Sequence, residues 1–399
     1  MAGGAEIINA PLAMLLVFGA AKLLGEVSER LKQPGIVGEI LAGVLIGPSV
    51  LGWIAPNDLL RTLSELGVMF LLFRVGLEVK ASELMKVGGA ATLVATVGVI
   101  VPFFMGWGIL RAWGAPQVEA IFTGAAMVAT SVGITARVLS TKGLLKARAS
   151  QIILAAAVID DVLGLLVLAL VSSVARGRFN VAELALTALL AAGFTVIVAV
   201  WGTRTMGRLI PHLGDKLRGG EAQFVLSICL LFGLSALAIY IGVAAIVGAF
   251  LAGMALSESV ETRVSDLSQG VAELLVPFFL AGLGLHLDLR VLANPSTILL
   301  AVVILVAAIV SKFIGCGLGA VGLGKADAIR IGVGMVPRGE VGMVVAQIGL
   351  GMGVISQPVY GVVVFMAVAT TLVAPPLLAP AYRGLIRPAP AQPPPPAPW

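Results

Sequence analysis

Charge is scarce in this sequence. Only 12% of its 399 residues are Asp, Glu, Lys or Arg, whereas a soluble globular domain carries about 25%. The chain therefore has too few charged side chains to cover a globule in water, which excludes an ordinary soluble protein. Its net charge of +5 does not indicate a nucleic-acid-binding surface, because the basic residues are spread over short connections instead of one patch.

Cysteine is almost absent as well. Cys229 and Cys316 lie far apart in sequence, each inside an apolar stretch. We interpret both as small apolar residues, and we predict neither a disulfide nor a metal site from them.

Apolar residues are abundant, at 59% of the chain. Stretches long enough to cross a bilayer as helices, which takes about 20 residues, recur from one end to the other. We predict an all-α polytopic membrane protein with thirteen transmembrane helices. The segments lie near residues 7–31, 34–52, 59–79, 86–112, 117–141, 147–175, 181–209, 220–241, 243–258, 262–286, 295–322, 326–354 and 358–383.

Lysine and arginine are concentrated in alternate connections. One set includes Lys32, Arg74 and Lys142, while the other set has few, such as Arg111 and Arg290. Because connections rich in Lys and Arg stay in the cytoplasm, we predict the N-terminus outside and the C-terminus in the cytoplasm. The last residues, 386–399, are nearly all Pro and Ala and predict a disordered tail.

The second half of the chain resembles the first. One offset aligns residues 65–72 with 273–280 and also residues 120–128 with 328–336. Chance similarity between Leu-, Gly- and Ala-rich helices is the alternative, but a single offset that serves two separate helix pairs argues against it. The offset displaces the chain by seven helices, so the copies run in opposite directions. We therefore predict two inverted six-helix repeats joined by a linker helix, which is typical of transporters. The same alignment places Gly76 on Gly284 and, with one insertion, residues 41–43 on 251–253.

Two adjacent acids, Asp160 and Asp161, lie in the middle of the sixth segment. At about 1.5 Å per residue each is roughly 20 Å from either end, near the bilayer midplane. An ionisable residue there costs about 2.5 to 3.5 kcal/mol, so we interpret both as functional; an acid at the membrane surface is the alternative. Adjacent helix positions point about 100° apart, and we expect the two carboxylates to have different roles.

Lys312 lies inside the eleventh segment at a similar depth. A lone buried ammonium loses its proton or needs a partner, and an ion pair with one of the two aspartates would supply it. The alternative is that the long side chain extends to the membrane surface.

The two segments matched by the repeat, the fifth and the twelfth, both contain poor helix sequences. The fifth has Thr130 and Ser131 followed by Gly and β-branched residues, and the twelfth has Pro337 within residues 336–342. We predict two broken helices that cross at mid-membrane, where free backbone carbonyls can solvate an ion. Hydroxyl bonding within an intact helix is the alternative for Thr130 and Ser131.

The charged residues of the twelfth segment allow two interpretations. Arg338 and Glu340 flank the predicted break, and they could neutralise each other. Alternatively Glu340 is an auxiliary carboxylate for a proton or a cation.

These motifs resemble those of the bacterial cation:proton antiporters, specifically the electrogenic sodium/proton antiporters of the NapA type. The resemblance extends over about residues 7–385, and its most specific element is the Asp160–Asp161 pair with the distant Lys312. It implies that Asp161 carries Na⁺, Li⁺ or a proton with Thr130 and Ser131 in the same site, and that Asp160 pairs with Lys312. Arg338 and Glu340 would be auxiliary residues.

The resemblance also implies a domain arrangement and a setting. It implies a homodimeric transporter of the bacterial inner membrane, not an enzyme, without a cofactor, whose partners are small cations and lipid. A core domain would slide against a dimer-forming scaffold. The implied parts are scaffold 1–82 and 218–291, core 83–175 and 292–385, linker 176–217, and tail 386–399.

Our hypothesis is that Na⁺ and H⁺ compete for Asp161 and that the empty carboxylate does not cross. If Na⁺ binding frees Asp160 and removes the proton of Lys312, two protons move for one Na⁺. The alternatives are a potassium/proton antiporter of the same family and an organic anion/sodium symporter with the same fold. An intramembrane aspartyl hydrolase fits less well, because its two carboxylates come from separate helices, and a channel would need a selectivity filter.

Overall fold

The structure is a computed structural model that describes residues 9–175, 181–198, 222–257, 262–290 and 294–383, with positions 202 and 205. Within these residues the chain is all-helical, with sixteen α-helices. The first eight are α1 Ala10–Arg30, α2 Gly35–Ile46, α3 Asp58–Glu78, α4 Ala81–Lys86, α5 Gly88–Ala112, α6 Gln117–Ala126, α7 Val132–Thr141 and α8 Arg148–Ala175. The others are α9 Val181–Ile197, α10 Ala222–Ile241, α11 Ala245–Leu256, α12 Thr262–Leu285, α13 Pro295–Gly319, α14 Lys325–Gly334, α15 Glu340–Gly351 and α16 Gln357–Ala381.

Seven of the described helices are long and apolar enough to cross a bilayer, namely α1, α5, α8, α10, α12, α13 and α16. Most of the predicted linker, 176–217, and all of the predicted tail, 386–399, lie outside the described residues.

Local sequence explains where several helices begin. The side chain of Asn9 accepts a hydrogen bond from the backbone N–H of Leu12 at 3.0 Å, and Asn57 does the same for Leu60 at 2.9 Å. Each asparagine thereby satisfies an N–H group that has no partner inside its helix, which fixes the start of α1 and of α3.

Three predicted segments differ from the structure in length or continuity. The second and ninth segments form α2 and α11, which have 12 residues each, or about 18 Å at 1.5 Å per residue. Pro34 precedes α2 and Gly47 ends it, so the helix cannot extend over the predicted range. The fourth segment is preceded by the separate short helix α4, which the sequence reading missed.

The surface of this bundle exposes many large apolar side chains. Leu15, Leu23 and Tyr240, for example, are 66%, 70% and 93% exposed. The interior is mainly apolar but also holds charged side chains, including Asp160 and Lys312. An apolar surface with a few charges buried inside fits a hydrocarbon environment.

The helices pack in two sets. Helices α1, α2, α3, α10, α11 and α12 contact one another, and helices α5, α6, α8, α13, α14, α15 and α16 contact one another. The two sets also contact each other: α2 packs on α16, and α7 packs on α3 as well as on α8 and α16. Helix α9 contacts α8 and α10.

Glycines allow the helices of the first set to approach very closely. A Cβ at Gly43 would overlap the carbonyl oxygen of Ala281, and one at Gly253 would overlap that of Phe73. Side chains at these positions would force the backbones apart, so small residues determine the packing distance, as is common between helices in membranes.

Helix α16 is held at both ends by side chains of two other helices. Glu119, in the first turn of α6, accepts hydrogen bonds from the N–H and hydroxyl of Ser356 at 2.8 and 2.7 Å. At the other end, Arg330, the sixth residue of α14, donates to the carbonyl oxygen of Ala381 at 3.1 Å. Helices α6 and α14 are thus tied to opposite ends of one helix.

Candidate functional site

Two interrupted helices meet inside the second set. Helix α6 ends at Ala126 and α7 begins at Val132, while α14 ends at Gly334 and α15 begins at Glu340. The interruptions fall where the sequence predicts them. They are the fifth and twelfth predicted segments, each divided into two half-helices.

The chemistry of residues 336–339 explains the second break. Pro337 has no N–H to donate, and it disfavours the helical conformation of the residue before it. Gly339 follows in an extended conformation, with φ −145° and ψ −149°. A Cβ at Gly339 would lie 2.6 Å from Cβ of Ser131, so only glycine allows the two breaks to come together.

Hydrogen bonds connect the two breaks directly. The N–H of Ser131 donates to the carbonyl oxygen of Pro337 at 2.8 Å. The hydroxyl of Thr135 donates to the carbonyl oxygen of Gly334 at 2.6 Å. Backbone groups released by each interruption are therefore satisfied by the other, as buried backbone requires.

Helix α8 brings the paired acids to this crossing. Asp160 and Asp161 lie near its middle and are 1% and 6% exposed. Lys312 on α13 is completely buried, and its ammonium lies 2.9 Å from Oδ1 of Asp160. The side chain of Lys312 does not extend to the surface but forms an ion pair with the first aspartate.

The ammonium of Lys312 has two further acceptors. It donates to the carbonyl oxygen of Gly98 on α5 at 2.9 Å and to that of Val128 at 2.7 Å. With Asp160 this occupies all three N–H donors of a lysine. A buried ammonium needs such complete compensation.

Arg338 is buried just as deeply, at 0% exposure. Its guanidinium donates to the carbonyl oxygens of Val128 at 3.0 Å, Ala129 at 3.3 Å and Ala308 at 3.1 Å. Val128 and Ala129 directly follow the C-terminal end of α6, where the helix dipole is negative and a cation is favourable. Arg338, in the second break, is thus hydrogen-bonded both to the first break and to α13.

The remaining predicted site residues are placed as follows. Thr130 and Ser131 are buried in the first break, at 4% and 7% exposure. Glu340 is the first residue of α15, but its side chain lies outside the described part of the structure.

Two buried oxygens at the site have no hydrogen-bond partner among the described residues, Oδ2 of Asp160 and Oγ1 of Thr130. Carboxylate, hydroxyl and carbonyl oxygens are the ligands preferred by hard cations. Among the described residues, no group of three or more His, Cys, Asp or Glu side chains is placed to hold a metal ion.

Sequence reasoning missed the backbone acceptors at the site. Gly98 was not identified, although a glycine inside an apolar helix is a signal for close backbone approach. A Cβ there would lie 2.5 Å from the sulfur of Cys316, so glycine allows α5 and α13 to pack closely. The shared carbonyl of Val128 has no such signal, because its role depends on contacts between residues far apart in the chain.

Buried charges at the crossing of two broken helices inside an apolar bundle define a multi-pass membrane transporter. The sequence profile described as "Sodium/hydrogen exchanger, transmembrane" matches residues 13–384. The chain belongs to this sodium/hydrogen exchanger family.

Several similar proteins align with most of the chain. The High-affinity Na⁺/H⁺ antiporter NhaS3 of Synechocystis sp. is 36% identical over 94% of this chain and 90% of its own. The Na⁺/H⁺-K⁺ antiporter GerN of Bacillus cereus is 34% identical over 91% of this chain and 94% of its own. The solved structure of the sodium proton antiporter MjNhaP1 from Methanocaldococcus jannaschii covers 96% of this chain and 97% of its own, with a TM-score of 0.74 at 17% identity. This last likeness shows the fold.

Proposed function

We propose that the protein is a sodium/proton antiporter in which Na⁺ (or Li⁺) and H⁺ compete for Asp161. One observation carries the proposal: in a chain of this family, two adjacent carboxylates are buried at the crossing of two broken helices, and Lys312 forms an ion pair with the first of them at 2.9 Å. A buried carboxylate whose charge must be compensated by either ligand makes exchange obligatory, because the bare anion is costly to move through an apolar barrier.

We propose electrogenic exchange, in which Na⁺ binding at Asp161 also removes the proton of Lys312. The charged side chains described at the crossing are Asp160, Asp161, Lys312 and Arg338. In the proton-loaded form Asp161 and Lys312 both carry a proton, and the four side chains have a net charge of +1. In the Na⁺-loaded form both have lost that proton, and the four side chains together with Na⁺ have a net charge of zero. Na⁺ therefore replaces two protons, one from Asp161 and one from Lys312, and each cycle moves one net charge.

Helix packing supports alternating access by a sliding core. We assign the set that contains α5, α8 and α13 to the core, residues 83–175 and 292–385. The set that contains α3 and α12 is assigned to the scaffold, residues 1–82 and 218–291. Within the described residues each set packs mainly on itself, and α9, in the proposed linker 176–217, contacts one helix of each set.

Reciprocal glycine contacts support the inverted repeat. The alignment equates Gly43 with Gly253 and Phe73 with Ala281. A Cβ at Gly43 meets the carbonyl of Ala281, and a Cβ at Gly253 meets the carbonyl of Phe73. The same holds for Gly76 with the carbonyl of Phe250 and Gly284 with that of Ile40. Equivalent residues thus make equivalent contacts, as two copies of one unit would.

The remaining features of the architecture stay proposals. They are the total of thirteen spans, the bacterial inner membrane, the cytoplasmic C-terminus and the homodimer formed by the scaffold. The proposed span count follows if α6 with α7 and α14 with α15 each form one interrupted crossing and the six-residue α4 does not cross.

Transport by purified protein in proteoliposomes tests the function. We expect an imposed Na⁺ gradient to drive proton movement in the opposite direction, and Asp161→Asn to abolish it while the protein still folds. Asp58→Asn, at an exposed position that begins α3, is the matched control and should retain full activity. Normal exchange by Asp161→Asn would refute the site, and proton movement in the same direction as Na⁺ would refute antiport.

Potassium is the second candidate cation, because GerN, at 34% identity, is named a Na⁺/H⁺-K⁺ antiporter. Vesicles loaded with K⁺ in place of Na⁺ distinguish the two. Selective exchange of K⁺ would replace Na⁺ as the proposed substrate and leave the role of Asp161 unchanged.

A further inference from the structure

Two adjacent threonines lie deep inside the second set of helices. Thr370 and Thr371 are consecutive residues of α16, and both are 0% exposed. A hydroxyl buried in an apolar bundle needs a hydrogen-bond partner, because its transfer out of water is otherwise costly. Both find an acceptor on their own helix. Thr370 donates to the carbonyl oxygen of Ala367 at 2.9 Å, and Thr371 donates to that of Val368 at 2.6 Å.

Thr370 also makes a hydrogen bond that leaves its own helix. Its hydroxyl oxygen accepts from the backbone N–H of Arg338 at 3.1 Å. A hydroxyl that donates three residues back along the same helix is a common local arrangement, and Thr371 shows it alongside. Among the described residues, the bond to Arg338 is therefore what distinguishes Thr370 from a neighbour of equal burial.

The N–H of Arg338 belongs to the second break. Helix α14 ends at Gly334 and α15 begins at Glu340, so Arg338 lies between two helices, directly after Pro337. A buried N–H group requires an acceptor. In this break the acceptor is the hydroxyl of Thr370 and not a carbonyl oxygen one helical turn earlier.

The same peptide unit also contacts the first break. The carbonyl of Pro337 and the N–H of Arg338 belong to one peptide bond, which is trans. In a planar trans peptide these two groups point in opposite directions. The carbonyl accepts from the N–H of Ser131 at 2.8 Å, while the N–H donates to Thr370 at 3.1 Å. One rigid plane is thus held between the first break on one side and α16 on the other.

Rotation of this plane would move groups at the crossing. The orientation of the peptide determines whether its carbonyl oxygen meets the N–H of Ser131, and it directs the chain from which the side chain of Arg338 extends. The guanidinium of Arg338 donates to the carbonyl oxygens of Val128 and Ala129 in the first break at 3.0 and 3.3 Å. The bond from Thr370 to this peptide therefore constrains both contacts at once.

We propose that Thr370 is a positioning residue for the cation site. Its hydroxyl fixes the orientation of the Pro337–Arg338 peptide and, through that peptide, the positions of Ser131 and of the Arg338 guanidinium. Thr370 acts through this peptide and not as a ligand of the cation. The proposal rests on the proposed function in one respect, that the crossing of the two breaks binds Na⁺.

Replacing the hydroxyl with a methyl group tests the role of Thr370. Thr370→Val keeps the β-branched shape of threonine but cannot accept from the N–H of Arg338. In proteoliposomes we expect the Na⁺ concentration for half-maximal exchange to rise at least fivefold, because the site loses its preorganised geometry, while the maximal rate stays within twofold. Thr370→Ser retains the hydroxyl, and its half-maximal concentration should lie within twofold of that of the unmodified protein.

The matched control is Thr371→Val, which removes a hydroxyl of the same burial that donates within α16. Both transport values should stay within twofold of the unmodified protein. An unchanged half-maximal concentration in Thr370→Val, an equal rise in Thr371→Val, or no recovery in Thr370→Ser would overturn the positioning role. If Thr370→Val does not fold, Thr370→Ala with Thr371→Ala as its control gives the same comparison, and the same outcomes decide it.

Amide hydrogen exchange separates this inference from the proposed function. In the full-length protein we expect Thr370→Val to increase exchange in residues 335–339 at least threefold, because the clamped peptide is released, and Thr371→Val to leave it unchanged. Unchanged exchange in Thr370→Val would overturn the inference. If the unmodified protein does not exchange Na⁺ for H⁺ at all, the proposed function fails, and hydrogen exchange still decides whether Thr370 holds the peptide.

Discussion

At the scale of single residues, the site depends on two fully buried cations that share one acceptor. The carbonyl oxygen of Val128 accepts from Lys312 at 2.7 Å and from Arg338 at 3.0 Å. The hydrogen bonds of the Arg338 guanidinium go to backbone oxygens, and the guanidinium interacts electrostatically with Asp160. Lys312, in contrast, forms a direct ion pair with Asp160 at 2.9 Å. This difference is why we assign the coupled proton to Lys312.

Substitution of Lys312 tests that assignment. We expect Lys312→Gln to make exchange independent of the membrane voltage, because one of the two coupled protons is lost. Removing one partner of a buried pair leaves the other charge uncompensated, which costs about 3 to 5 kcal/mol of stability. Voltage-clamped vesicles and thermal unfolding in detergent measure the two effects.

The control for this substitution is Lys86→Gln, at an exposed position that ends α4. It should change neither measurement. Undiminished charge movement in Lys312→Gln would exclude the lysine from coupling, and adding Asp160→Asn should recover stability if the unpaired carboxylate causes the loss.

At the scale of helices, the sequence predicted the interruptions but not how they are joined. Thr130, Ser131 and Pro337 are poor helix residues, and local chemistry is enough to place a break near each. The hydrogen bonds from Ser131 to Pro337 and from Thr135 to Gly334 connect residues about two hundred positions apart. Such pairings depend on how helices pack, so spacing along the chain cannot reveal them.

The contact between the two breaks depends on the absence of a side chain at Gly339. A Cβ there would lie 2.6 Å from Cβ of Ser131, so Gly339→Ala must push the two breaks apart. We expect transport to fall at least tenfold, equivalent to about 1.4 kcal/mol, in protein that still inserts and folds.

Gly351→Ala is the matched control, because this glycine lies on the same helix with open space around it. It should be as active as the unmodified protein. Equal loss in both variants would attribute the effect to the helix propensity of α15 and not to the crossing.

At the scale of the whole molecule, composition predicted the class and resemblance predicted the family. Scarce charge and bilayer-length apolar stretches were sufficient to predict a helical membrane protein. The burial of Glu39, which is 7% exposed, was not predicted, because this residue lies near a basic connection, where charged residues are ordinary. Its burial comes from packing between helices, which requires the fold.

The orientation in the membrane is testable on intact cells. We expect a fluorescent reporter fused after Arg383 to fold in the cytoplasm, since basic connections such as that after α7 predict this side. A reporter that requires export, inserted at Gly114 between α5 and α6, should be active outside. Reversal of the two signals would invert the proposed topology.

The attachment of α16 to Glu119 at one end and to Arg330 at the other has a consequence for energetics. Because α6 and α14 are tied to one helix, the two half-helix pairs would keep their mutual geometry during the core movement that we propose. The oxygens that contact the cation would then be nearly the same from both sides of the membrane. We therefore expect intrinsic dissociation constants that match from inside and outside, so that ion gradients and voltage alone determine the direction of net flow.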